Sequence, residues 1–449
     1  MVITRRLILY LFFIAIGFLI CFALIYKSLE NSRVYNAYFS SFMPTYENQN
    51  GTICSVNKPF TKIEEIGYIA MDAASYWYIR NNFYTIDPNN IETNYTFGFF
   101  PLFPVLWKFF SGQGIIIINY FLHFIAIVIL AFTFCRKKIV FAIITVLALP
   151  TLSVFLLPYT ESLFMFSISV ALLGYTKENK YLYTIGLILA SATRPIFLLF
   201  LFALIATEVY QYLRNKKINY KHLLFTSAIV ISVTLLVSLF QYSYHKSSLF
   251  TFMSVQRHWG TYFRIPNKIS DWSWEGYGMN VWALLFCFIF GIASLISALF
   301  KKLKTESGFE YWYYFSWIYL IAVCGYVLFF QGGCLHSLYR YTLCCPFFYV
   351  IIFNHINSME RLPIGGALIL FISFVIVCDL FFHAVEYPAK GGFDRTGFIL
   401  LTINLLFFIL SAKVSDRIKY FSYIPLIIAG IIWNCYLYNM FFSKAWVFL

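Results

Sequence analysis

The sequence predicts an all-α polytopic membrane protein, and three observations lead there. First, 61% of the 449 residues are hydrophobic and only 12% are charged, with a mean hydropathy of +0.74. A soluble domain carries about 25% charged residues, so this composition excludes one. Second, apolar runs of about 20 residues recur along the chain, the length a helix needs to cross a bilayer. The runs are continuous, not alternating, which excludes a β-barrel. Third, Lys and Arg gather in every second connection, as they do in cytoplasmic loops. The net charge of +14 follows from that bias. It does not point to nucleic acid, because no basic patch carries the stacking aromatics of a binding module.

The elements follow in order. Arg5 and Arg6 precede a first span over 7–26 and place the N-terminus in the cytoplasm. No small-residue cleavage site follows, so this span reads as uncleaved. Residues 27–110 form the first external loop: polar to 98, then a short apolar piece, 99–110, broken by Pro101 and Pro104 and lying at the interface. Spans follow at 114–134, 139–157 and 162–175. The segment 181–213 is too long for one span, and Pro195, which has no N–H to donate, breaks it after Arg194. A span at 222–244 leads to a second external loop, 245–278, rich in Trp, Arg and His. Further spans lie at 279–300, 311–330, 339–355, 363–383, 396–412 and 421–441. The total is about 11–13 transmembrane helices in a single membrane domain over 1–449. The basic connections at 136–138, 177–180, 214–217, 301–304, 360–361 and 413–419 all fall on one side. The large loops, and therefore any site, face away from the cytoplasm.

Ten cysteines are scattered, mostly inside apolar spans, where they behave as small hydrophobes. No CxxC or Cys/His metal spacing occurs. Cys54 and Cys334 are both external and are candidates to pair. Asn50 and Asn94 begin Asn-X-Thr sequons, which matter only in a glycosylating secretory pathway.

Seven places could carry chemistry. Asp72 would stand near the outer bilayer surface, with Tyr76 on the same helical face at i+4. A carboxylate there can take a proton from a hydroxyl; read alone, it fits a helix cap or an exposed loop acid better. Glu161 lies in the tight external turn Pro158-Tyr159-Thr160-Glu161-Ser162, where an acid also suits a helix N-terminus. Arg194 sits in a mostly apolar segment, where a cation normally has an anionic partner; a lipid phosphate, Asp72 and Glu161 are all candidates. Gln256-Arg257-His258-Trp259, with Arg264 downstream, combines cations suited to a phosphate with a ring suited to a sugar. An interfacial aromatic belt would look the same. His336 and Arg340 lead into a later span, and Arg340 fits either a phosphate or a snorkelling anchor. Asp379 and His383, one turn apart near the outer end of a span, could simply satisfy each other. His123 is alone inside the membrane and reads as a satisfied core residue.

Taken in order, these residues resemble the PIG-V (GPI mannosyltransferase 2) family and its bacterial relatives, within the GT-C class of membrane glycosyltransferases. The family's external Asp, followed by Phe-Phe-Pro-Leu-Tyr-Pro, is similar to Asp72 followed by Phe99-Phe100-Pro101-Leu102-Phe103-Pro104. Its Pro-Tyr-Ser-Glu-Ser turn resembles Pro158-Tyr159-Thr160-Glu161-Ser162. Its Ala-Thr-Leu-Thr-Arg segment resembles Ser191-Ala192-Thr193-Arg194-Pro195. Gln256, Trp259 and Arg340 match the later positions, and the likeness covers about 70–345. Met71 stands where the family commonly has Trp, and the piece between Asp72 and Phe99 is long and rich in Asn.

The resemblance implies a GT-C-type bundle with juxtamembrane helices in the long first external loop. It implies a polyprenyl-phosphate sugar donor, mannose by family, and a lipid-linked or cell-surface glycan as acceptor. Asp72 would activate the acceptor hydroxyl for inverting attack, with Glu161 as the second catalytic acid. The donor phosphate would lie near Arg194, Arg257 or Arg340, with Tyr76, Tyr159, Gln256, Trp259 and His336 completing the substrate site. No cofactor or metal is expected. The competing classes are a transporter or flippase of lipid-linked glycans and a glycan ligase or polymerase. The composition, rich in Ile, Phe, Tyr, Asn and Lys, favours a bacterial plasma membrane, with the endoplasmic reticulum as the alternative.

Overall fold

A computed structural model describes residues 5–34, 45–47, 53–55, 65–135, 138–244, 248–271, 279–300, 307–358, 376, 385 and 416–442. The spans expected at 363–383 (residue 376 apart) and 396–412 lie outside them, as do Asp379, His383 and Asn50.

The architecture is nearly all helical. Helix α1 (Arg5–Ser28) opens the chain. In the first external loop a two-stranded antiparallel pair, β1 (Thr45–Glu47) and β2 (Ile53–Ser55), sets Tyr46 opposite Cys54. The sequence reading missed this pair because three-residue strands are too short to show a period. Next come α2 (Asp72–Asn82), a 3₁₀ segment (Ile91–Gly98) and α3 (Leu102–Trp107), the interfacial piece. Helices α4 (Gly112–Phe134), α5 (Ile139–Leu147), α6 (Leu152–Phe155), α7 (Glu161–Thr176), α8 (Lys180–Thr193), α9 (Phe197–Asn215) and α10 (Tyr220–Tyr244) follow. After α11 (Thr251–His258), α12 (Met279–Leu284) runs through a π-helical turn (Leu285–Ile289) into α13 (Phe290–Phe300). The described chain ends with α14 (Ser307–Phe330), α15 (Leu338–Thr342), α16 (Pro346–Ser358) and α17 (Asp416–Phe442). Among the described residues, six helices are long and apolar enough to cross a membrane: α1, α4, α9, α10, the α12–α13 run and α14. Helix α7 and the second half of α17 are shorter apolar helices. The protein is a multi-pass membrane protein.

Two expected spans are broken. The run 139–157 divides into α5 and α6, because Pro150 cannot donate to the helix and the chain turns there. Backbone groups freed inside a bilayer need partners. Asn434 of α17 supplies them: its Oδ1 accepts from the Ser153 N–H, and its Nδ2 donates to the Leu149 and Gly430 carbonyls, each at 2.8 Å. Asn434→Leu should therefore lower the melting temperature in detergent, with about 1–3 kcal/mol lost for each group left unsatisfied. An unchanged melting temperature would show that other groups carry the break. The run 339–355 likewise divides into α15 and α16, parted just before Pro346.

Helices α7 and α8 form the tightest pair. A Cβ added to Gly186 would run into the Ala171 backbone, and one added to Gly174 into the Tyr183 backbone. Small residues at such crossings let helices approach closely where no hydrophobic effect drives them together. Helix α1 meets α17 through Phe22 and Tyr26, whose rings lie 5.5 and 5.4 Å from Tyr438. At the end expected to be cytoplasmic, Arg214 pairs with Glu310 and Tyr314.

Cys334 is a free thiol, so the candidate pairing with Cys54 is not formed. His123 is a core residue, fully buried and stacked 3.7 Å from Phe155. It is not satisfied, however, since neither ring nitrogen has a hydrogen-bond partner among the described residues. Thr96 of the Asn94 sequon is 2% exposed, with its hydroxyl turned onto the Thr93 carbonyl.

Candidate functional site

The antiparallel α7–α8 hairpin sets the polar core of the site. Glu161 is the first residue of α7 and Arg194 directly follows the last residue of α8, so the two meet at one end of the hairpin. An acid at a helix N-terminus and a base at a C-terminus each complement the helix dipole. Arg194 is extended, as a residue before proline tends to be, and its Nη1 lies 3.4 Å from Glu161 Oε1. The turn before Glu161 is tied down by Asn119, whose amide donates to the Leu157 carbonyl at 2.5 Å and the Tyr159 carbonyl at 3.3 Å.

Arg340 joins the two carboxylates. Its Nε donates to Glu161 Oε1 at 2.5 Å, and its Nη1 lies 2.5 Å from Asp72 Oδ2. Its guanidinium sits 4.2 Å from the centre of the Tyr159 ring. Arg340 is 2% exposed, and Glu161 is fully buried. A guanidinium can serve two carboxylates in this way because its donors are fixed in one plane. The short helix α15 that carries Arg340 is held from behind: Asn280 Oδ1 accepts the Tyr339 N–H at 2.9 Å, and Asn280 Nδ2 donates to Asp271 at 3.2 Å.

Asp72 begins α2, and Tyr76, one turn on, is buried on the face expected for it. The Tyr76 hydroxyl is 3.3 Å from that of Thr160. Its ring meets Phe99 at 5.0 Å and Phe103 at 5.3 Å, so the Phe-Phe-Pro element packs directly under the helix that carries Asp72. Burial pushes the Tyr76 phenol well above its usual range, so it stays protonated.

A cavity of about 880 Å³ opens over this cluster. Asp72, Tyr76, Arg194, His336 and Arg340 line it, together with Gln256, Arg257, Trp259 and Arg264. Phe197, Leu198, Phe252, Phe263 and Phe330 supply an apolar side. At that mouth Leu198 is 55% and Phe263 65% exposed, as lipid-facing side chains are. Eight of the ten expected site residues therefore share one cavity. Tyr159 and Glu161 do not reach it; both are fully buried behind Arg340. Arg194 and Arg340 are already paired with carboxylates, whereas Arg257 has no ion-pair partner among the described residues. Among the described residues Arg264 bonds neutral groups, the Gln331 carbonyl at 3.0 Å and the Tyr262 hydroxyl at 3.2 Å.

The sequence reading passed over Tyr341 and Phe164. The Arg194 guanidinium lies 5.5 Å from the Tyr341 ring and 5.8 Å from the Phe164 ring. The signal for Tyr341 was its place beside Arg340; for Phe164, in an apolar run, there was none. No three His, Cys, Asp or Glu side chains form a metal-binding group among the described residues.

His336 stands in the external turn beside Asp72 and Arg340. Burial lowers its imidazole from the ordinary 6.5, with Asp72 opposing and Arg340 adding to the shift. The folded value lies below the unfolded one, so its stabilising contribution is present above pH 6.5 and is lost as pH falls through the folded value. His336→Asn should flatten the acid limb of the melting-temperature profile below pH 6.5. An identical acid limb in the variant would assign it to other groups.

No family model matches the chain, and no curated protein matches it. Among solved structures, the crystal structure of ArnT from Cupriavidus metallidurans bound to undecaprenyl phosphate is similar, with a TM-score of 0.49 and 10% identity, over 96% of this chain and 77% of that one. At that degree of likeness no residue role transfers from it. The resemblance to the PIG-V family rests on the order of its motifs.

Proposed function

We propose that this protein is a membrane glycosyltransferase. It takes a sugar, mannose by its motif resemblance, from a polyprenyl-phosphate donor and passes it to a glycan or glycolipid acceptor on the extracytoplasmic side. The host membrane in this reading is the bacterial plasma membrane. The observation that carries the proposal is Asp72, 22% exposed, on the wall of a large cavity with one oxygen held by buried Arg340. A carboxylate oriented by a fixed cation and open to a cavity is placed to receive a proton.

The acceptor hydroxyl gives its proton to Asp72, and its oxygen attacks the anomeric carbon. The bond from that carbon to the phosphate oxygen breaks, and polyprenyl phosphate leaves with its electron pair. Attack opposite the leaving group inverts the anomeric centre. Arg257, without an anionic partner among the described residues, is the cation best placed to meet the charge that develops on the phosphate. The apolar mouth suits the lipid tail. Glu161, having no access to the cavity, acts by fixing Arg340 and Arg194, and Tyr159 by packing against the Arg340 guanidinium. Arginines supply positive charge around the leaving phosphate.

A transporter of lipid-linked glycans would place its polar helix breaks near the bilayer midplane. Here Asp72, held by Arg340, lines the cavity with a carboxylate able to take a proton, which favours chemistry. The test is product analysis with the purified full chain in nanodiscs, supplied with polyprenyl-phosphate mannose and candidate acceptor lipids. A new inverted glycosidic bond with release of polyprenyl phosphate supports transfer. Movement of the lipid across the bilayer with no new bond supports transport instead. Use of a diphosphate-linked donor alone supports the ligase or polymerase class.

A further inference from the structure

Gly98 ends the 3₁₀ segment and lies where α11 docks on the first external loop. A Cβ added there would stand 2.7 Å from Cη2 and 3.0 Å from Cζ3 of Trp259, with Val255 Cγ1 at 3.2 Å. Gly98 does not have the positive φ found at Gly260, Gly332 and Gly333. The path of the chain therefore does not demand glycine at this position; the space taken by the indole does.

Trp259 is braced at that edge and meets Phe99 edge to face at 5.6 Å and 68°. It still keeps 45% of its surface exposed and lines the cavity. Phe99 in turn touches Tyr76, one turn from Asp72. A large, rigid, half-exposed ring is thus fixed at one side of the cavity, two ring contacts away from the helix of the proposed base. Packing alone would bury such a ring further, since Trp is highly buried on average.

We propose that Gly98 is a positioning residue: by leaving room for the Trp259 indole, it holds that ring as the platform on which the donor's sugar lies while Asp72 activates the acceptor. An indole offers a flat apolar face to the C–H side of a sugar ring. The inference rests on the polyprenyl-phosphate-sugar reading above and adds the side chains that select for the sugar.

The experiment compares binding of polyprenyl-phosphate mannose with binding of bare polyprenyl phosphate, using full-length protein in nanodiscs. The proteins are wild type, Gly98→Ala, Trp259→Ala and the double variant. Each single variant is expected to weaken the sugar-bearing lipid about tenfold and to leave the bare lipid unchanged. The double variant should bind no worse than Trp259→Ala alone, because Gly98 acts only through the indole. Trp259→Ala creates space and tests the platform even where Gly98→Ala fails to fold. Equal loss of both lipids, a Gly98→Ala effect that persists without the indole, or wild-type binding by either single variant overturns the proposal. Failure of wild-type protein to bind either lipid overturns the donor reading itself and the platform with it. That pattern is distinct from normal donor binding without the coupling.

Discussion

Asp72→Asn is expected to reduce sugar transfer by about 10²–10⁴-fold, the range over which a positioned general base contributes. The amide keeps the shape of the carboxyl but cannot take the proton. Arg340 keeps its bond to Glu161 at 2.5 Å, so the polar core should survive the change. Membrane insertion should therefore stay close to wild type, with a modest fall in melting temperature because buried Arg340 loses one of its two carboxylate partners. The measurement is initial rate with polyprenyl-phosphate mannose, paired with a thermal melt of the same preparation. A wild-type rate in the variant would remove Asp72 from the chemistry. Lost transfer together with lost folding would make Asp72 a structural acid only.

Arg340→Ala should act on stability first. It strips the closest cation from Glu161, which is fully buried, and from Asp72. Removing one partner of a buried ion pair costs about 3–5 kcal/mol, because the other charge is left uncompensated. Arg194, 3.4 Å from the same Glu161 oxygen, offsets part of this loss. Arg340→Lys should rescue poorly, since one ammonium cannot present two fixed donors to two carboxylates. The pair Glu161→Gln with Arg340→Gln removes both charges and should recover much of the lost stability, with transfer still absent. Melting temperatures of the three variants in detergent decide the matter. An Arg340→Ala protein as stable as wild type, or a double variant no better than the single, would show that the cluster is not held as described.

The helices were legible because an apolar run long enough for a bilayer is a local property, and so was the break at Arg194–Pro195. The break at Pro150 was not read. Its backbone groups are satisfied by Asn434, 281 residues from Ser153 in sequence, and no local pattern announces such a partner. The candidate residues were legible one at a time, from residue type and from motif order. Their division of labour was not. Glu161 reads in sequence like Asp72, an external acid at a helix start, yet one is sealed behind Arg340 and the other faces the cavity.

The sequence by itself determined that this is a multi-span helical membrane protein, and it named Asp72, the arginines and the tryptophan that line the cavity. Hydropathy, charge bias and residue chemistry act within a few turns of chain, so they are written locally. Only the tertiary structure decided which charges neutralise each other. The Glu161–Arg340 contact joins residues 179 positions apart. Whether a carboxylate is sealed by a guanidinium or left open to a cavity depends on how distant helix ends meet. That is set by packing, and for this reason Asp72, Arg257 and Trp259 face the space that Glu161 and Tyr159 do not reach.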